Sequence, residues 1–531
     1  MAYQAPSDLG APFRLLRNSS EIRVIAQSPQ LELASPIGMI GMLTLFFGVV
    51  TMHDLVSRAL DTAAAKGAHY ADVRLVQTSQ ERFVVRNGVV DTLSIDESLG
   101  IGVRVLVQGA WGFASSNVMS AVEADRVAAM AVAVGTASAQ LSNGPVDLGP
   151  PVTSRGSYTT PVEIDPFTIS HEAKLSVLMG ADEQMARVAG LSVRQGNLTF
   201  IRERKTFANS EGAHVEQTIF EAGGGIQATA VGNGEIQRRS YPQSIGRQQG
   251  CAGWEYVRDM DLVQNAERTA TEAVALLTAD RCPSDITTTV IVGGSQLGLQ
   301  IHESCGHAIE LDRVMGSEAA YAGTSFLTTD KLHDFQYGSD QVNITADSNR
   351  IPGLGSFGWD DEGVPAQSTP IVEAGRFVGY LMSRETASSL GMASNGTMRA
   401  ASWNRIPLIR MTNVSLEPGG WELNGLIADT DDGILMDTNR SWSIDDRRYN
   451  FQFGTEVGYE IKKGKLGRLL RNCTYTGITP EFWNSCDAVC NDKHWTMWGT
   501  PNCGKGQPGQ IGHTGHGAAP ARFRNVRVGV L

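Results

Sequence analysis

A chain of 531 residues, 42% hydrophobic and 19% charged, has an ordinary globular composition, with room for roughly two to four domains. Its formal net charge of −12 argues against sequence-independent binding of nucleic acid, which needs a basic surface. Seven cysteines, odd in number and scattered, do not form a disulfide framework, so a reducing, cytoplasmic setting is expected.

Residues 1–35 are polar and irregular, and Pro36–Met52 is a charge-free apolar run of 17. That length lies at the short edge for a membrane span. An amphipathic helix is predicted directly afterwards, over 53–67, with Leu55, Ala59, Leu60 and Ala63 on one face and Gly67 as its stop. Residues 1–51 are therefore expected to be an extension or a mis-assigned start outside the fold; the alternative is a membrane anchor over residues 36–52.

Alternating strands are predicted at 71–77, 82–86, 89–95 and 100–108, with Asn87-Gly88 as a two-residue hairpin turn. A helix over 121–137 follows, then a Gly/Pro/Ser/Thr-rich boundary at 138–165. A second unit reads as a helix at 169–188, strands at 193–209 and 215–230, and a helix at 260–278. The β-branched run at 287–293 leads through Gly293-Gly294 into a further helix, and from Phe326 onward short strands with Gly, Asn-Gly and Pro turns predominate. The expected class is α+β: N-terminal α/β units followed by a large C-terminal antiparallel β-rich domain carrying the helix. The expected division is 52–150, 151–284 and 285–531.

That helix holds His302-Glu303-Ser304-Cys305-Gly306-His307, an H-E-x-x-x-H pattern. Two imidazoles beside a carboxylate are the parts of a hydrolytic zinc site, nitrogens for the metal and Glu303 for a proton. The spacing is one longer than H-E-x-x-H. Positions five apart on an α-helix diverge by roughly 140°, so both histidines reach one ion only across an i→i+5 turn, a π-bulge near Ser304–Gly306, which Gly306 would tolerate. The competing reading is two unrelated histidines near a core helix.

A catalytic zinc site needs a third protein ligand. Candidates are Cys305, Glu310, Asp312, Cys473, Cys486, Cys490, His494, Cys503, His513 and His516. Cys503 falls in a turn-rich loop that can present a thiolate freely, whereas Cys305 is expected to pack into the core. Cys486, Cys490 and His494 would form one stripe on a helix and with Cys503 could make a second, closed zinc site; against this, structural sites usually use short C-x2-C knuckles, and free cysteine is a common core residue.

The string HESCGHAIELD at 302–312 resembles the signature of the TldD/PmbA peptidases, once called modulators of DNA gyrase. The likeness runs from about Met52 to the end and includes Asp360-Asp361-Glu362-Gly363-Val364-Pro365, Asn395-Gly396 with Arg399, Arg410-Met411-Thr412-Asn413 and Asn502-Cys503-Gly504-Lys505. It is similar to the metal-bearing TldD side. The resemblance implies a zinc metallopeptidase with His302, His307 and Cys503 as ligands and Glu303 as the catalytic glutamate. It also implies a dimer, with a TldE/PmbA-like subunit or with itself, that cuts unfolded peptides and trims modified-peptide precursors. The 1–51 extension, Cys486 and Cys490 depart from the family pattern.

Glu303 is expected to take a proton from a water that zinc acidifies and to pass it to the leaving amine. Glu310 and Asp312 are expected to orient the ligands. Substrate is expected to add as an extended strand beside the C-terminal sheet. The alternative is a non-catalytic peptide-binding or regulatory module, of the gyrase-modulator type, with a structural metal; an intact Glu303 argues against it, since a structural site has no use for a base.

Overall fold

The computed structural model describes residues 51–142 and 144–529, and these described residues form one compact unit. The expectation for residues 1–51, membrane anchor included, lies outside the described residues except at Thr51. Its side chain accepts from the amide of Asp54, whose carboxylate accepts from the Thr51 amide in return. This capping box starts helix α1 (Met52–Ala65). Among the described residues no helix is long and apolar enough to cross a membrane.

The first sheet comprises β1 (Tyr70–Arg86), β2 (Val89–Val107), β3 (Ala110–Ser116), β4 (Arg155–Thr159), β5 (Leu191–Asn209), β6 (His214–Gly232), β7 (Glu235–Tyr241) and β8 (Gln248–Gly250), antiparallel throughout except for β4 beside β6. Their order is β3–β2–β1–β5–β6–β4, with β7 and β8 also paired to β6. Asn87 and Gly88 both have positive φ, the requirement of a type I′ hairpin. The four short strands predicted on either side of that turn are two long ones, because alternation continues through the polar stretch Thr78–Glu81, where Glu81 pairs with buried Lys174. Pairing of β1 with β5 places residues from both sides of the 138–165 segment in one sheet.

The two faces of this sheet have different chemistry. Val73 and Leu75 pack with α1 and α2 (Ala121–Ala139), while Phe83 and Val85 pack with α3 (His171–Ala186) and α4 (Leu262–Ala275). These β1 residues share the odd parity, so both helix pairs cover one face. Even-numbered positions carry charge onto the other face: Arg104 bonds Asp72 and Glu362, and Arg74 lies 3.7 Å from Asp361. Buried ion pairs thus help join the sheet to the C-terminal region, beside apolar contact of Phe207 and Val215 with Trp359. These ion pairs demand complete pairing, because a lone buried charge is heavily penalised.

The second sheet comprises β9 (Asp280–Arg281), β10 (Ile286–Val292), β11 (Asp432–Ile444), β12 (Asn450–Lys462), β13 (Lys465–Arg471), β14 (Thr474–Ile478), β15 (Cys486–Val489) and the last strand, here β18 (Ala521–Val528). The order is β11–β10–β18–β14–β12–β13–β9, with β15 on β18. Because β11 also pairs with β12, five of these strands close a circuit, β11–β10–β18–β14–β12. Closure removes exposed edges. Pairing is antiparallel apart from β10 with β11 and β9 with β13. The C-terminal part also holds a separate ribbon, β16 (Thr496–Lys505) and β17 (Gln510–Ala518), and two small sheets formed by short strands between residues 344 and 416. The α+β class thus holds, with the β-rich C-terminal region around the helix α5 (Gly294–Ile301) that follows β10.

Candidate metal centre

Every residue of α5 is buried, and the helix passes at its C-terminus into a π-helical turn over His302–Gly306, where the His307 amide bonds the His302 carbonyl. The i→i+5 turn that the spacing required is present. Gly306 has an ordinary helical φ, so its role is not left-handed freedom; a Cβ there would collide with the Met411 sulfur. The π-turn brings the two imidazoles to one side, their ring centroids 4.9 Å apart and perpendicular.

Cys503 meets them from the ribbon. It lies on strand β16 rather than in a free loop: Pro501 lacks an N–H, and the β16–β17 register shifts between Thr500 and Cys503. The bulge aims sulfur at the π-turn, with Sγ 3.6 Å from His307 Nε2. One ligand atom each of His302, His307 and Cys503 lies within 4.8 Å of the others, and all three residues are buried. The Cys503 carbonyl accepts a hydrogen bond from Arg410, which fixes the strand at that point.

Hydrogen bonds set which imidazole nitrogen is free. His516 Nδ1 lies 3.0 Å from the Val414 carbonyl, an acceptor only, so that nitrogen carries hydrogen and Nε2 accepts. His302 Nδ1, 2.8 Å from His516 Nε2, therefore donates, and the lone pair of His302 falls on Nε2. His307 Nδ1 donates to Glu310 at 3.0 Å, leaving its Nε2 free as well. Glu310 is held in turn by Lys505, which also bonds Asp312 at 2.7 Å and the Ile409 carbonyl at 2.8 Å. Both ligand candidates have the backing typical of metal-bound histidine.

Electrostatics are consistent with uncharged imidazoles. Burial, reinforced by neighbouring His516 and His307, holds His302 well below its ordinary range; burial with the charges of Arg448 and Arg313 does the same to His307. Burial pushes the Cys503 thiol up to about 11, with Arg410 opposing, so a nearby cation is what would favour its thiolate. Burial also raises Glu303, against the charges of Arg448 and Arg313.

A cleft of about 400 Å³ opens onto these groups, lined also by Arg247, Leu299, Trp442, Arg448 and Asn502. Glu303 lies at its wall with Oε2 bonded to Arg448 Nη1 at 2.7 Å.

Of the ten candidates for a third ligand, Cys503 alone joins the two histidines among the described residues. Cys305 is buried in the main core. Cys473 is hydrogen-bonded to Cys282. Cys486 and Cys490 do not share a helical stripe: Cys486 opens strand β15, where alternation replaces the period of four, Cys490 follows it, and His494 bonds Glu422. His513 pairs with Glu221 at 2.7 Å. Glu310, Asp312 and His516 stand behind the three. Sequence reasoning missed Arg448, in the β11–β12 turn 145 residues from Glu303, for which no local signal exists. From sequence His516 is only a rival ligand, and Lys505 only part of a motif.

A buried pair of imidazoles and a thiol, with a carboxylate beside them on a cleft, has the donor make-up of a metal-hydrolase centre. Three consecutive domains of one family match the chain: PmbA/TldA metallopeptidase domain 1 over residues 71–139, the central domain over 164–277 and the C-terminal domain over 286–529. A metalloprotease of Methanocaldococcus jannaschii is 28% identical across 84% of this chain and 94% of its own. A zinc metalloprotease TldD homolog of Saccharolobus solfataricus is 26% identical across 38% of this chain and 44% of its own. The fold is shared with a putative modulator of a DNA gyrase from Thermotoga maritima, at a TM-score of 0.72 and 18% identity over 90% of this chain and all of that one. TldE from Thermococcus kodakarensis gives 0.69 and 15% over 90% and all of its length. This chain belongs to the PmbA/TldD family of metallopeptidases.

Proposed function

We propose that the chain is a zinc peptidase of the TldD type that hydrolyses unfolded peptides, in which His302, His307 and Cys503 hold the metal and Glu303 is the general base. The convergence of three ligand atoms within 4.8 Å, beside an acid at a cleft wall, carries this reading. The donor set suits zinc: two imidazoles whose outward nitrogens are tied to His516 and Glu310, and one thiol. That the Saccharolobus relative is named a zinc metalloprotease supports the choice of metal. When bound, zinc supplies Lewis acidity and lowers the pKa of a water towards neutrality. Glu303 then takes that water's proton and delivers it to the leaving amine. The β16 segment Thr500–Gly504, whose pairing is interrupted at the bulge, borders the cleft and offers an edge for an extended peptide.

The likeness to TldE supports a dimer with a TldE-like subunit or with a second copy, and the reading carries a cytoplasmic location and maturation of modified-peptide precursors with it. A three-part chain, divided near 150 and 284, is supported by the bounds of the three matched domains. The name of the Thermotoga neighbour favours the second reading, a regulatory module with a structural metal. Zinc content measured together with casein cleavage, with and without chelator, separates the two. Chelator-sensitive cleavage supports the peptidase; bound zinc without cleavage, even after addition of a TldE-type partner, supports the module.

A further inference from the structure

Arg448 has a left-handed backbone. It has φ of +65° in the turn joining β11 to β12, a region that favours glycine. The turn is over-determined around it. Asp445 accepts from the amides of Arg447, Tyr449 and Asn450; the Arg448 amide bonds the Asp445 carbonyl; and Thr479 donates its hydroxyl to the Arg448 carbonyl at 2.8 Å. A rigid loop thus holds a long cation in a conformation that glycine would occupy freely. A conformation of this kind persists only where the surrounding structure fixes it, as this turn does.

The side chain lines the cleft together with Glu303 and the three candidate ligands. Nη1 holds Glu303 Oε2 at 2.7 Å, while Nε is buried and has no hydrogen-bond partner. Arg313 and Arg247 each have a buried Nε without a hydrogen-bond partner too, but their other nitrogens are engaged away from Glu303. Arg313 bonds Glu318 at 2.9 Å and the Ala322 carbonyl at 2.6 Å, and Arg247 bonds Asn502 at 2.9 Å. Among the described residues, Arg448 is the arginine that both lines the cleft and bonds the motif glutamate.

We propose that Arg448 is a further catalytic residue, which donates to the carbonyl oxygen of the scissile peptide as that oxygen becomes negative. This rests on the peptidase reading above. As the water oxygen bonds to the carbonyl carbon, its proton passes to Glu303 Oε1, and the carbonyl π electrons move onto oxygen beside the guanidinium. Their return breaks the C–N bond, and the amine leaves with the proton from Glu303. Nη1 keeps Glu303 aimed throughout. A preorganised donor of this kind acts on charge that exists only in the transition state.

Arg448→Gly suits the backbone, which offsets part of the cost of leaving buried Glu303 without its partner. The zinc-loaded full-length protein, with its partner subunit if cleavage needs one, is compared with this variant and with Arg448→Lys. Expected for Arg448→Gly are retained zinc at one per chain, a folded protein with a lowered melting temperature, and kcat lowered about 100- to 1000-fold with little change in KM. Affinity for a phosphinic peptide, whose tetrahedral oxygens mimic the charged state, should fall in parallel, and added guanidinium should restore part of the turnover. Arg448→Lys should lie between the two. Turnover of Arg448→Gly within threefold of the native protein, or loss of its zinc, overturns the proposal. A native protein that binds zinc and never cleaves overturns the peptidase reading, and this assignment with it.

Discussion

His302 Nδ1 lies 2.8 Å from His516 Nε2, although 214 residues separate them. Residue type and location alone make His516 a rival metal ligand; hydrogen bonding makes it the group that chooses which nitrogen His302 presents. Val414 fixes one end of this relay through its carbonyl, and Thr514 adds a hydroxyl 3.1 Å from the same His516 nitrogen.

Replacing His516 with leucine removes the acceptor and frees the His302 ring to turn or to change tautomer. Zinc affinity is expected to fall about 10- to 100-fold, as it does when other outer partners of metal-bound histidines are lost. His516→Gln, whose amide can both accept and donate, should lose less. Competition with a chromogenic chelator reads both values. Equal affinity for the leucine variant and the native chain removes the relay from the site.

Lys505 ends the ribbon strand that bears Cys503, and its fully buried ammonium joins Glu310 to Asp312. Lys505→Met leaves those carboxylates without their cation. Breaking one partner of a buried ion pair is strongly destabilising, so a loss of about 3 kcal/mol is expected. Thermal or urea unfolding of the metal-free protein measures it. A change below about 0.5 kcal/mol, the range of ordinary surface substitutions, shows that the network is not a clamp.

Much of this arrangement was legible from local pattern. Alternation and the Asn87-Gly88 dipeptide located the long hairpin, and the H-E-x-x-x-H spacing by itself demanded the π-turn that the chain adopts. Three features were not legible. The stripe through Cys486, Cys490 and His494 suits a helix, but the segment pairs with β18, and packing overrides a four-residue period this short. The loop around Cys503 is a strand with a bulge, because glycine-rich sequence that reads as a turn still pairs when a partner strand lies beside it. Arg448 and His516 reach the site only through tertiary contact, with partners 145 and 214 residues away, and no periodicity encodes such distances.

Glu303→Gln keeps the shape of the side chain and its tie to Arg448 through the amide oxygen, while removing the ability to accept a proton. The proposed ligands are untouched, so zinc content should stay at one per chain. Turnover should fall by several orders of magnitude, roughly 1000-fold or more, since proton transfer and water placement are lost together. Cleavage retained at native rate with full zinc eliminates Glu303 as the base.

Cys503 gives the sharpest test of the metal centre. Burial pushes its thiol up to about 11, so a free thiolate is disfavoured near neutrality, and a cation beside His302 and His307 is what would deprotonate it. The thiolate would be the single negative charge among the three proposed ligands. Cys503→Ala should therefore cut zinc affinity sharply and abolish cleavage, and chelator should no longer lower its melting temperature as it does that of the native protein. Cys305 is buried in the core, and Cys486 and Cys490 lie at the β15 strand away from the cluster, so their alanine variants should each retain one zinc per chain. Metal content of the four variants, measured side by side after dialysis against trace zinc, decides the assignment. Full zinc in Cys503→Ala, or the loss of one equivalent in Cys486→Ala, places the metal elsewhere.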